Sequence, residues 1–281
     1  MKLVTNDSLN KRFYSNKICL LDADRIKHVT YSRAMHSIEK EFIEDVSTMK
    51  KVIRAEAMGM VEDFESKIGD PIIYCFSGKS YNTFRYKVGF QKEYKGSRKE
   101  QKLSIEEIKL KAELMNEAMT SIINEKVCLI FDDLEADDIL SMLQSEHTYI
   151  FSNDKDLKQI PGFHFDIEKG CIYEITQDEA VRNLALQLLT GDSTDDIAGI
   201  NGIGPVKAKK ILEEVSPKNM ISRVFKIYRE KYGIINGTDM FCENWLLVKL
   251  RSSREGFFDQ KYISAYSLVE NIKNKFLNLN P

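Results

Sequence analysis

The chain has 281 residues, 43% of them hydrophobic, and a formal charge of −2, enough apolar material for one large or two modest domains. Its five cysteines, Cys19, Cys75, Cys128, Cys171 and Cys242, are odd in number and form no Cys-x-x-Cys pair. That argues against a disulfide framework or a cysteine zinc site and for reduced thiols in a cytoplasmic setting. No run approaches the roughly 18 apolar residues of a bilayer span, and no early stretch reads as a signal sequence, so no membrane role is expected.

In chain order, apolar runs at 18–21, 72–76, 127–131 and 149–151 read as strands, each followed by polar or acidic residues. Between them, 31–67 is long enough for one or two helices, and 105–123 and 136–143 carry helical apolar spacing. Strands alternating with helices predict an α/β domain around a central, largely parallel sheet, with ligands beyond the carboxyl ends of the strands. Residues 163–167 and 171–175 read as an appended hairpin. After residue 177 the pattern is helical, with candidates at 177–189, 205–214, 221–231, 241–250 and 265–276. The division this predicts is a 1–180 core and a 181–281 helical region packed on it.

Eight acidic residues fall in four short clusters: Asp22, then Glu135, Asp137 and Asp138, then Asp154 and Asp156, then Asp192 and Asp195. Taken singly, each has an ordinary explanation in an Asx turn or a helix start that welcomes acids. Asp192 and Asp195 are read as one helical turn apart, pointing the same way. Like charges about 4 Å apart repel by roughly 4 kcal/mol at an effective dielectric near about 20, so converging them requires cations between them. Oxygen-only ligands favour Mg²⁺, with Mn²⁺ as a substitute, over zinc. Two such ions suit phosphodiester hydrolysis. His28, His36, His147 and His164 lie outside the clusters and are given ordinary surface or core roles.

From Lys79 to Lys102 the chain is rich in Lys and Arg interleaved with Tyr81, Phe84, Tyr86, Phe90 and Tyr94. Cations neutralise phosphates and aromatic faces stack on unpaired bases, although a solvated basic helix has the same composition. Residues 199–208 hold Gly199, Gly202, Gly204, Pro205 and Lys207 between two helical patterns. Such a helix start can hold a duplex phosphate or form a plain interhelical turn.

With these residues assembled, the chain resembles the 5′ nuclease superfamily, from about Ile18 to Leu212 and closest to the short phage 5′-3′ exonucleases. The carrying residues are Asp22, Glu135-Ala136-Asp137-Asp138, Asp154-Lys155-Asp156 and Gly191-Asp192-Ser193-Thr194-Asp195, with Thr83-Phe84-Arg85 through Tyr94-Lys95-Gly96-Ser97-Arg98 and Gly202-Ile203-Gly204 with Lys207. The resemblance implies a PIN-like nuclease core, a helical arch at about 78–112 and a C-terminal helix-two-turn-helix. It implies that Asp22, Glu135, Asp137 and Asp138 hold one Mg²⁺, while Asp154, Asp156, Asp192 and Asp195 support a second. Lys95 and Arg98 would engage the reacting phosphate. Lys79, Phe84, Arg85, Tyr94, Gly202, Gly204 and Lys207 would contact DNA, with K⁺ on the glycine carbonyls. One departure stands out: many members carry Asp after the second strand's Phe, and here Phe76 is followed by Ser77.

The predicted activity is that of a free-standing, monomeric, metal-dependent 5′-3′ exonuclease and flap endonuclease acting on DNA. RNA in RNA/DNA hybrids is a further substrate class, and replication proteins are the expected partners. The expected setting is the cytoplasm, that of the host cell if phage-encoded. A catalytically silent structure-specific DNA-binding protein and a mainly RNA-directed nuclease are the alternatives.

Overall fold

The computed structural model describes residues 17–41, 44–79, 82–97 and 104–252. Its elements are β1 (Ile18–Asp22), α1 (Asp24–Lys40), α2 (Val46–Ile68), β2 (Ile72–Ser77), a short α3 (Arg85–Val88), α4 (Ile105–Glu125), β3 (Cys128–Phe131), α5 (Ala136–Leu143) and β4 (Thr148–Phe151). They continue through the hairpin β5 (Gly162–Asp166) and β6 (Cys171–Ile175) to α6 (Gln177–Thr190). The two-residue strands β7 (Gly191–Asp192) and β8 (Ile197–Ala198) then precede α7 (Pro205–Leu212), α8 (Pro217–Tyr232) and α9 (Ile234–Val248). The expected helix at 265–276 and Arg98 lie outside the described residues.

The main sheet runs β3-β2-β1-β4-β5-β6. All neighbours are parallel except the β5–β6 hairpin, as the alternating pattern predicts. The chain steps outward from β1 to β2 and β3, then returns to add β4 on the other side of β1. That reversal opens a crevice beyond the strands' carboxyl ends. One sheet face packs on α1, α2 and α4 through Ile26, Ile53, Tyr74, Phe76, Leu114 and Ile122. The other packs on α5 through Leu20, Cys75, Ile139 and Ile150.

Local chemistry sets the helix ends. Asp45 accepts from Thr48 N at 2.8 Å, and Gly69 closes α2 at φ 72°. Ser104 with Glu107, and Thr176 with Glu179, form reciprocal capping boxes at the starts of α4 and α6. The break between α1 and α2 splits the long 31–67 pattern, and α1 begins earlier than its apolar spacing suggests.

Asp192 and Asp195 do not sit on a helix, which corrects the one-turn spacing read from sequence. They lie on the tight β7–β8 hairpin. The two flanking glycines make that hairpin possible. Gly191 has φ 69°, and a Cβ there would stand 2.3 Å from Ile197 O; one on Gly199 would stand 2.2 Å from the Thr190 carbonyl carbon. Both contacts are with backbone and cannot be relieved by a rotamer change. Gly199→Ala is therefore expected to lower unfolding free energy by about 1–3 kcal/mol, read as a lower urea midpoint; an unchanged midpoint would contradict this packing.

Candidate active site

A cleft of about 560 Å³ opens at the sheet's carboxyl edge. Its lining includes Asp22 from the end of β1, Glu135 and Asp137 from the start of α5, Asp154 and Asp156 after β4, and Asp192 and Asp195 from the hairpin. Seven of the eight acids predicted from sequence thus converge, with Lys95 among them. Parallel strands ending on one edge and a helix starting there do the gathering.

The cations around them come from side chains of the chain itself. Lys95 Nζ donates to Glu135 Oε1 at 2.6 Å and lies 3.6 Å from Asp195 Oδ2, and Lys155 Nζ sits 2.9 Å from Asp192 Oδ2. The Tyr94 hydroxyl stands 3.0 Å from both Glu135 Oε2 and Asp195 Oδ2. With the carboxylates so engaged, no group of three His, Cys, Asp or Glu side chains among the described residues has the geometry to hold an ion as they stand. The donor set itself, all oxygen and mutually repelling, fits a hard divalent cation.

That repulsion shows in the proton affinities. Burial, then Asp24 and Asp154, push the Asp22 carboxyl up to about 7. Burial, then Asp154 and Asp192, push Asp156 up to about 7. Asp137 is raised well above the usual range by burial, then by Asp22 and Asp154. By contrast, burial of Asp192 is outweighed by Lys155, which holds it low. Burial of Asp24 is likewise outweighed by Lys27 at 2.6 Å and the Ser77 amide at 3.1 Å.

A pH dependence follows. Asp22 and Asp156 keep their protons up to about pH 7 when folded, whereas the unfolded chain releases them near about pH 4. Ion-free stability should therefore fall as pH rises through that window. Divalent cations, which bind the deprotonated oxygens, should raise the melting temperature more near about pH 8 than near about pH 6. Thermal melts with Mg²⁺ or EDTA at the two pH values check this; an equal shift would contradict it.

Several expected roles are corrected. Asp138 does not face the cleft: it is fully buried. Its Oδ2 and Oδ1 accept from Arg85 Nη1 and Nη2 at 2.5 and 2.9 Å, and Oδ1 also accepts from Arg251 N at 3.0 Å. Although burial would raise its pKa, Arg85 holds it down. Arg85, expected on DNA, stands in the cleft wall but is 1% exposed, with its guanidinium turned to this pair. Phe84 is packed against both the helical core and the α5 side of the sheet, and Tyr94 is buried with its ring edge-on to Tyr86, so neither presents a free face for a base. The described part of the basic segment, 82–97, packs into the helical core through Val88 and Tyr94.

Lys79 is exposed and does not line the cleft. Gly202, Gly204 and Lys207 form a separate exposed surface at the start of α7, where Lys207 Nζ donates to Gly202 O at 3.3 Å.

Further residues stand in and around the cleft beyond the eight acids. Asp24 lines it, and the Asp22-Ala23-Asp24 spacing was its signal. His28 reaches the cleft wall, one turn further along α1. Ser77, where the resemblance led to the expectation of an Asp, accepts from Ala136 N at 2.9 Å and so caps α5 from a neighbouring strand. Asp196, at φ 60°, accepts from Lys92 Nζ and from Ser97 N and Oγ, and fastens the 82–97 segment to the hairpin.

An acid-lined cleft at the switch point of a doubly wound sheet, with a helical region beside it, defines the class of fold. A 144-residue stretch is 33% identical to DNA polymerase I of Rhizobium leguminosarum, covering 44% of this chain and 14% of that protein. A 125-residue stretch is 31% identical to the 5′-3′ exonuclease of Mycoplasmopsis pulmonis, covering 33% of this chain and 39% of that protein. The chain thus spans well under half the length of these curated relatives. Among solved structures, the D15 protein of phage T5 co-crystallised with metal ions matches 94% of this chain and 99% of its own, at TM-score 0.57 and 17% identity. The T5 5′-exonuclease with bound zinc covers 93% and 98%, at TM-score 0.58 and 16% identity. No family model matches. The chain is thus similar over part of its length to a DNA polymerase I and to a 5′-3′ exonuclease, and it shares the fold of the T5 5′-exonuclease.

Among the described residues no helix is long and apolar enough to cross a membrane.

Proposed function

We propose that this chain is a divalent-metal-dependent 5′-3′ exonuclease and flap endonuclease that hydrolyses DNA phosphodiesters, with RNA in RNA/DNA hybrids as a further substrate. The observation that carries the reading is the convergence of seven carboxylates from four distant segments on one cleft. The matched relative named a 5′-3′ exonuclease and a T5 flap endonuclease solved with DNA and metal ions, at TM-score 0.55 and 15% identity, support it.

Asp22, Glu135 and Asp137 would hold one Mg²⁺, and Asp154, Asp156, Asp192 and Asp195 a second; Mn²⁺ would substitute. When bound, such a pair activates water and offsets charge on the leaving oxygen. Lys95 lies beside both groups and would shift from Glu135 and Asp195 to the reacting phosphate, with Arg98 as its partner. Tyr94, hydrogen-bonded to Glu135 and Asp195, fixes the spacing between the α5 and hairpin carboxylates. The exposed Gly202–Lys207 surface would grip duplex backbone, with K⁺ displacing Lys207 from the glycine carbonyl. We retain the division into a 1–180 core and a 181–281 helical region, acting as a monomer with replication proteins as partners.

The test is cleavage of a 5′-labelled flap and a blunt duplex with Mg²⁺ and then EDTA. Short 5′ products that appear with Mg²⁺ and vanish with EDTA are expected. Flap binding without cleavage would instead make the chain a structure-specific binding protein.

A further inference from the structure

Along the wall of the cleft, the end of α9 and the segment that leaves it are held by side chains. Leu247 O accepts from Arg85 Nε at 2.8 Å, Val248 O from Gln159 Nε2 at 2.9 Å, Leu250 N donates to Gln159 Oε1 at 2.9 Å, and Arg251 N donates to Asp138 Oδ1 at 3.0 Å. The last carbonyls of a helix and the buried backbone groups beyond it need such partners, and three side chains supply these. One of the three does more. Arg85 Nη1, besides its bond to Asp138, donates to Glu135 Oε2 at 3.0 Å, on a carboxylate that lines the cleft.

We infer that Arg85 is a positioning residue that sets the Glu135 carboxylate from the cleft wall and couples it to the end of α9. This rests on the function proposed above and assigns to the Arg85–Asp138 pair a role other than DNA contact or metal ligation. The guanidinium is a rigid planar fork. Its Nε points to Leu247 O, its Nη2 to Asp138 Oδ1 and its Nη1 to Asp138 Oδ2 and Glu135 Oε2. A displacement of Leu247, which belongs to the helical region, therefore moves a carboxylate of the cleft. Asp138 keeps the fork in plane, and its own burial keeps water from competing. A lysine keeps the charge but cannot span these acceptors at once.

Two substitutions separate this role from plain packing. Arg85→Lys should lower kcat on the labelled flap by about 10–100-fold and raise the Mn²⁺ concentration for half-maximal rate, with flap affinity in EDTA changed less than about twofold. Gln159→Leu loosens the same segment but leaves the Arg85–Glu135 bond in place, so it should lower the melting temperature and cost kcat far less than Arg85→Lys does. If Arg85→Lys does not fold, Asp138→Asn keeps the shape, weakens the fork's grip, and should give the same split.

Equal kcat for the Arg85 and Gln159 variants once corrected for folded fraction would overturn the inference, as would flap affinity lost in step with turnover. A wild-type chain that binds but does not cut would instead sink the proposed function. In that case Mn²⁺ titration followed by electron paramagnetic resonance decides the inference: weaker binding in Arg85→Lys upholds it and equal binding refutes it.

Discussion

Replacing Asp137 by Asn should cut cleavage by roughly 10³-fold while making the ion-free protein harder to unfold. The carboxyl is pressed by burial and by Asp22, Asp154 and Glu135, which drive its proton affinity far up. An amide of the same shape removes that repulsion, so urea unfolding in EDTA should shift to higher denaturant at neutral pH and above. Losing one oxygen ligand should cost about 4 kcal/mol of transition-state stabilisation, roughly 10³-fold in kcat. A structural acid would give the other sign, because removing a satisfied helix-start carboxylate destabilises. Single-turnover cleavage and a urea melt on the same preparation decide it; lower stability together with retained cleavage would contradict the metal reading.

Lys95→Met should also cost turnover, about 10²–10³-fold, but with the opposite effect on the ion-free fold. Among the described residues its ammonium is the nearest cation to Glu135, and it sits between that residue and Asp195. Removing it leaves two carboxylates with less countercharge, so ion-free stability should fall while added Mg²⁺ recovers most of the loss. The backbone should hold, because Lys95 N donates to Asp195 O at 2.9 Å whatever the side chain. Flap affinity should drop only modestly. An affinity loss as large as the rate loss would assign Lys95 to ground-state binding instead.

The sheet and most of the cleft were legible because both are written in local sequence. Apolar runs ending in acids mark parallel strands ending at a site, and the expected α/β sheet follows from their alternation with helices. Glu135 and Asp137 were found because a helix start needs fewer carboxylates than this one carries. What could not be read was which way a side chain turns once two segments meet. Asp138 shares its cluster with Asp137, yet the turn of α5 points it inward, where Arg85 from a segment far away in sequence meets it. Thr83-Phe84-Arg85 has the composition of a nucleic-acid surface, and only tertiary packing buries it. The β7–β8 hairpin escaped because its strands are two residues each, too short for periodicity to register, and its geometry rests on backbone contact between Gly191 and Gly199.

The central claim is that these acids gather in order to share divalent cations. Anomalous diffraction from a Mn²⁺-soaked crystal tests it most directly. The account predicts peaks in the cleft within about 2.3 Å of oxygens of Asp22, Asp137 and Asp154, with Lys155 and Lys95 drawn off their carboxylates. A cleft without an anomalous peak, with both lysines still paired to Asp192 and Glu135, would contradict it.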